Sequence, residues 1–151
     1  MGLDLFDETF DLVAELERRS VDHALVGAIA LAVYGAPRAT ADIDILVRAE
    51  DVPAALEAAR ARGFSIEALP KRFAVGIEVR RVTKLEGEET LTLDYLLVNE
   101  SLEPAWASRT RVATAAGDLR VISRDALIRM KALAGREQDL ADIRRLRELD
   151  G

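Results

Sequence analysis

The chain has 151 residues, 50% of them hydrophobic, which suits one domain with a single packed core and argues against disorder. With no cysteine and one histidine, His23, disulfides, thiolate metal sites and a histidine-rich zinc site are excluded. The formal charge of −6 excludes a general nucleic-acid coat, though not a local basic groove. 

Any metal must therefore sit on oxygen ligands, as Mg2+ or Mn2+ does. No basic-plus-apolar leader appears, and no apolar run approaches about 18–20 residues, so a cytoplasmic protein without a membrane partner is expected.

In chain order, Leu5, Phe6, Phe10, Leu12, Val13 and Leu16 have amphipathic spacing and predict a helix over 4–20, started by Asp4 or Asp7. A short apolar strand follows at 23–26, then Gly27, a helix from about Ala28 to Tyr34, and the punctuating Gly35 and Pro37. A second strand runs to Arg48 and opens on Asp42-Ile43-Asp44. Glu50 or Asp51 is expected to cap the next helix, which has Pro53 in its first turn and stops at Gly63. Residues 64–98 read as sheet, with strands at 64–69, at 73–84 with Val75, Ile77, Val79 and Val82 alternating, and at 90–98 after a turn at Glu86–Glu89. The segment 99–118 is partly irregular, partly helical near Pro104-Ala105-Trp106, with a strand near 111–113. A strand at 119–122 leads to a helix capped by Ser123, a break at Gly135, and a last helix over 136–149.

The chemistry concentrates at His23–Arg48. Asp42 and Asp44 are two places apart on a strand, so both carboxylates leave one face a few ångströms apart. Such a pair repels and raises its own pKa unless a cation lies between. It sits at the mouth of a strand–glycine–helix turn, whose free N–H groups suit a phosphate. Paired carboxylates beside an anion cradle describe phosphoryl or nucleotidyl transfer. The bland reading is a polar strand start capping a turn. Asp94, in Leu-Thr-Leu-Asp-Tyr-Leu-Leu-Val, is costly on so apolar a strand without a partner, unless it lies on the solvent face of an edge strand. Arg38 is read as a phosphate or acceptor contact or as a counter-charge to Asp42, and Thr40 as a hydroxyl that orders the loop. Lys131, among Leu127, Ile128, Met130 and Leu133, either faces phosphates or snorkels towards an acid such as Asp139. Asp139 and Asp142 read as structural partners of Arg136, Trp106 as a hydrophobic anchor or a base-stacking surface, and His23 as a strand-edge residue. Lys71, Arg72, Arg80 and Arg81 form either a basic rim or solvated strand charges.

The pattern Gly27-Ala28, thirteen residues, then Asp42-Ile43-Asp44-Ile45 resembles the signature of the DNA polymerase beta-like nucleotidyltransferase superfamily. Arg38-Ala39-Thr40-Ala41-Asp42-Ile43-Asp44, with Lys131, Gly135-Arg136, Asp139-Leu140 and Asp142-Ile143 downstream, is similar to its small bacterial members of the AbiEii-toxin-like, minimal nucleotidyltransferase type. The likeness spans about residues 20–147; Ala28 stands where those proteins have Gly or Ser. It implies an α/β (α+β) nucleotidyltransferase fold, a small mixed sheet flanked by helices. The chain would form a single domain over 1–151, with a core at about 20–122 and C-terminal helices at 123–149. It also implies transfer of NMP from an NTP such as ATP to an acceptor hydroxyl on a protein, tRNA or small molecule. Asp42, Asp44 and Asp94 would act as metal-binding catalytic carboxylates, and Gly27, Ala28, Arg38 and Lys131 would hold the nucleotide. A toxin or antitoxin partner protein is a further implication. The alternative from another class is a catalytically impaired chain of this fold acting as a binding or antitoxin-like module, with Ala28 as its support.

Overall fold

The computed structural model describes residues 2–73 and 76–150, and of Asp150 only the backbone. The elements run α1 (Leu5–Arg18), β1 (Ala24–Val26), α2 (Gly27–Val33), β2 (Asp42–Val47), α3 (Val52–Ala61), β3 (Ile66–Glu67), β4 (Lys71–Arg72) and β5 (Glu78–Glu86). They continue with β6 (Glu89–Leu97), α4 (Glu103–Ala107), β7 (Thr110–Thr114), β8 (Gly117–Val121), α5 (Arg124–Ala134) and α6 (Glu137–Asp150). One 8-stranded sheet holds them together, in the order β3-β5-β6-β2-β1-β8-β7, with β4 also on β5. Two pairings are parallel, β2 with β6 and β1 with β8; the remainder are antiparallel.

The period-two alternation of β2 divides the interior. Ile43, Ile45 and Val47 point into a core shared with Leu93 and Tyr95 of β6, Leu12 and Leu16 of α1, and Ala55 and Ala59 of α3. Leu46 points the other way, into a second core with Val26, Leu31, Trp106, Leu127 and Leu146. The sheet is thus covered on both sides, and the second core stops short of the first residues of β2. Tyr95 fastens β6 to α3 through its hydroxyl, which donates to Ala55 O at 2.8 Å.

Local signals set most boundaries. Asp4 Oδ1 accepts from Asp7 N at 2.9 Å at the start of α1, and Ser123 Oγ from Ala126 N at 3.1 Å at the start of α5. Gly135 closes α5 in the left-handed region, its N–H donating to Lys131 O at 2.9 Å. Three expectations need correction. Asp51 makes no side-chain cap; a single 3-10 turn, Ala49–Asp51, feeds α3 instead. The strand expected over 64–69 shrinks to two residues. The one expected over 73–84 begins only at Glu78, because Gly76 at φ +73° interrupts the extended run; Val75, part of the expected alternation, lies outside the described residues.

Candidate active site

The carboxylates are placed by register. Asp44 of β2 lies directly opposite Asp94 of β6 in the parallel ladder, and Asp42 opposite Thr92. Neighbouring strands are about 4.8 Å apart, so Asp42, Asp44 and Asp94 project from one face at the rim of the sheet. Asp94 therefore lies in the sheet interior between β2 and β5, not on an edge strand. Thr40 orders the approach to β2, its Oγ1 accepting from Asp42 N at 3.2 Å.

Gly27 completes this corner. It follows β1, whose Val26 pairs with Asp44, and takes φ +61° as the first residue of α2. A Cβ built on it would lie 2.3 Å from Asp44 Oδ2 and 3.0 Å from its Cγ. Only a residue without a side chain lets the bend sit against the carboxylate. No side chain caps α2, so its first N–H groups keep their donor capacity beside Asp44. Ala28 is buried. Gly27→Ala is expected to cost roughly 2–4 kcal/mol, combining a left-handed non-glycine residue with overpacking on Asp44. Chemical denaturation would measure it; a variant as stable as the wild type would mean that the close approach is dispensable.

The charge pattern around Asp44 is unequal. Burial first, then the charges of Asp94 and Asp42, push its carboxyl up to about 6, while Lys131 and Arg136 pull it down. Those two cations belong to a buried network under the C-terminal helices. Lys131 Nζ donates to Asp142 Oδ2 at 2.8 Å and lies 3.6 Å from Asp139 Oδ1. Gln138 Nε2 donates to Asp142 Oδ1 at 2.9 Å, and Arg38 Nε stands 3.3 Å from the same oxygen. Arg136 Nε donates to Asp139 Oδ2 at 2.6 Å, with its side chain 77% exposed. Burial raises the carboxyls of Asp139 and Asp142, yet these hydrogen bonds and charges outweigh it and hold both low.

Lys131 thus takes the acid-paired alternative, with Asp142 as nearer partner than Asp139, while its charge still reaches Asp44. Arg38 meets Asp142; that placement replaces the counter-charge to Asp42 considered from the sequence. Asp139 pairs with Arg136 as expected, whereas Asp142 meets Lys131, Gln138 and Arg38 instead. Trp106 is a buried anchor between the guanidinium groups of Arg109, 3.9 Å from the ring centroid, and Arg48, 5.2 Å away. His23 is buried, with Nδ1 3.2 Å from Val21 O.

The contact that sequence reading missed is on Asp94. Arg81 Nε donates to Asp94 Oδ1 at 2.8 Å and its Nη2 to Oδ2 at 2.9 Å, a bidentate pair. The hairpin could have revealed it: five places back from the closing pair Glu86–Glu89 stand Arg81 and Asp94. Among the described residues, no group of three or more His, Cys, Asp or Glu side chains is arranged to hold a metal ion as it stands. The donor set is nonetheless of the type a hard divalent cation takes: oxygen ligands only, with the carboxyl of Asp44 raised first by burial and then by the charges of Asp94 and Asp42.

Comparison with solved structures adds the fold. The chain is similar to the lincosamide antibiotic adenylyltransferase LnuA in its lincomycin-bound form, at 18% identity and TM-score 0.64, over 95% of this chain and 96% of that one. It is similar to ANT(2'')-Ia in complex with adenylyl-2''-tobramycin, at 15% identity and TM-score 0.64, over 97% and 90%. JHP933 from Helicobacter pylori follows at 18% identity and TM-score 0.60, over 96% and 67%. The chain has the nucleotidyltransferase fold. No protein-family model matches it, and no curated protein does. In this nucleotidyltransferase fold, the carboxylate face and the glycine bend lie at adjoining ends of β2 and β1.

Proposed function

We propose that the chain is a metal-dependent nucleotidyltransferase that moves NMP from an NTP, ATP in the first instance, to the hydroxyl of a small-molecule acceptor. The observation that carries this reading is the in-register Asp44–Asp94 pair with Gly27 pressed against Asp44. Carboxylates converging beside uncapped backbone N–H groups have no evident use in holding the sheet together.

Asp42 and Asp44, with Asp94, would hold Mg2+ or Mn2+, which when bound supplies Lewis-acid neutralisation of the triphosphate. Gly27 and Ala28 offer backbone N–H groups to the phosphates. Lys131 contributes its charge from the buried network, Arg38 stands on the same network, and the exposed Arg136 is the side chain able to reach an anion. Asp94 takes the proton of the acceptor hydroxyl. The hydroxyl oxygen then bonds to the α-phosphorus, the bridging P–O bond to the β-phosphate breaks, and pyrophosphate leaves.

A small acceptor is preferred because the three arginines of the basic rim already face acids. Arg80 lies 2.9 Å and Arg72 3.8 Å from carboxylate oxygens of Glu78, and Arg81 is on Asp94. That leaves little charge for a polyanion such as tRNA. LnuA and ANT(2'')-Ia are themselves seen with lincomycin and adenylyl-tobramycin. Incubation with Mn2+ and α-phosphate-labelled NTPs, in the presence of hydroxylated small molecules or cell extract, tests the reading. Label on a small molecule is expected. Label on a protein or tRNA would instead support the AbiEii-like role, with a toxin or antitoxin partner. No label from any of the four NTPs would favour the non-catalytic binding module.

A further inference from the structure

Asp94 is the carboxylate expected to take the acceptor's proton, yet both its oxygens already accept from Arg81. The pair is lopsided in exposure: the Asp94 side chain is 13% exposed and that of Arg81 43%. The guanidinium can withdraw into water; the carboxylate, set between two strands, cannot follow it. Arg81 is also held by more than one acid. Its pKa is raised first by the hydrogen bond and charge of Asp94, and then by Asp42 and Asp44. It is the cation hydrogen-bonded within this carboxylate face, while Lys131 and Arg136 act on Asp44 from the network under the C-terminal helices.

The β5–β6 hairpin does not depend on this pair for its register. Eight cross-strand pairings run from Val79–Leu96 to Glu86–Glu89, and Val82 and Leu93 anchor the opposite face in the core. A bidentate arginine placed here is better explained by what it does to Asp94. The bidentate contact takes one lone pair on each Asp94 oxygen and sets a positive charge against the carboxylate, so a cation arriving there must compete with Arg81.

We propose that Arg81 is a displaceable guard on Asp94, a positioning residue that occupies the third carboxylate until a divalent cation takes it over. Release of Arg81 then couples arrival of the metal to the freeing of the third carboxylate. This rests on the nucleotidyltransferase reading of the three aspartates.

The test is a Mn2+ titration of the full chain by calorimetry, with thermal melts in chelator and in Mn2+, for the wild type, Arg81→Ala, Arg81→Lys and the double variant Arg81→Ala/Asp94→Asn. Arg81→Ala is expected to bind Mn2+ about tenfold more tightly, the size of effect released when a charged hydrogen bond no longer competes. Arg81→Lys, which keeps the charge but not the fork, should fall between. The double variant should lose the gain. Arg81→Ala should also melt lower than the wild type in chelator and recover in Mn2+. A purely structural pair would give lower stability with unchanged or weaker Mn2+ affinity, and that result overturns the guard. Absence of Mn2+ binding in the wild type and every variant overturns the metal-site reading itself, and the guard with it. Should Arg81→Ala fail to fold, Arg81→Lys decides alone: affinity no tighter than the wild type refutes the proposal.

Discussion

Replacing Asp44 with asparagine is expected to abolish transfer and to leave a more stable protein. The two effects share one cause. Asp44 is buried opposite Asp94 and against the bend at Gly27; burial first, then the charges of Asp94 and Asp42, raise its carboxyl to about 6 despite Lys131 and Arg136. Asparagine fills the same space without the charge. Loss of activity should be at least about 10²–10³-fold, the size seen when one charge-stabilising contact is removed from a transition state. The stability gain follows from linkage. A carboxyl whose folded pKa exceeds its unfolded value contributes stability below the unfolded value, near pH 4, and that contribution is lost as pH rises through the folded value. From about pH 4 to pH 7 the wild type should therefore lose roughly 1–3 kcal/mol relative to Asp44→Asn, at about 1.4 kcal/mol per tenfold change in proton affinity. In a chain of this size that is several degrees in Tm. Melting curves across the range, in chelator, check it. An Asp44→Asn protein less stable than the wild type at pH 7 would make Asp44 a structural residue.

Lys131→Met has the opposite signature and the largest expected cost to the fold. Its ammonium is the shared cation of Asp142, 1% exposed, and Asp139, 2% exposed. Methionine matches the stem but leaves two buried carboxylates with Gln138, Arg38 and Arg136 alone. Breaking a buried pair from one side costs about 3–5 kcal/mol, because the remaining charge is stranded. Adding Asp142→Asn to Lys131→Met should restore much of the loss, whereas two independent contacts would give additive losses. The pH profile separates this network from Asp44. Asp139 and Asp142 have depressed carboxyls, so in the wild type their contribution is full above the unfolded value and disappears as pH falls through the folded one. Lys131→Met should shrink the Asp142 share of that acid-side loss and leave the Arg136-held share of Asp139. Denaturation at pH 7 and pH 3 measures both. An inexpensive Lys131→Met would mean that the arginines neutralise the acids unaided.

Much of the site was legible because its determinants are local. Strand, glycine, helix and the Asp42-Ile43-Asp44 alternation need only short-range periodicity and backbone freedom, and β1, α2 and β2 form within a residue or so of expectation. The two-faced core also follows from β2 alone, once alternate residues are assigned to opposite sides. What escaped depends on register or on distant side chains. The long strand expected from Val75, Ile77, Val79 and Val82 failed because Gly76 turns the chain, and apolar alternation does not register a single positive φ. Lys131 is legible as a non-solvated lysine, but its pairing with Asp142 depends on how α6 packs on α5. Arg81 looked like ordinary strand charge; only the hairpin register sets it opposite Asp94.

The most direct test is calorimetric titration of the wild type and of Asp44→Asn with ATP, each with and without Mg2+. Heat that requires Mg2+ in the wild type and vanishes in Asp44→Asn is the expected result. ATP binding of equal strength with and without the ion, or unchanged in the variant, would contradict a metal-dependent nucleotide site at Asp42, Asp44 and Asp94.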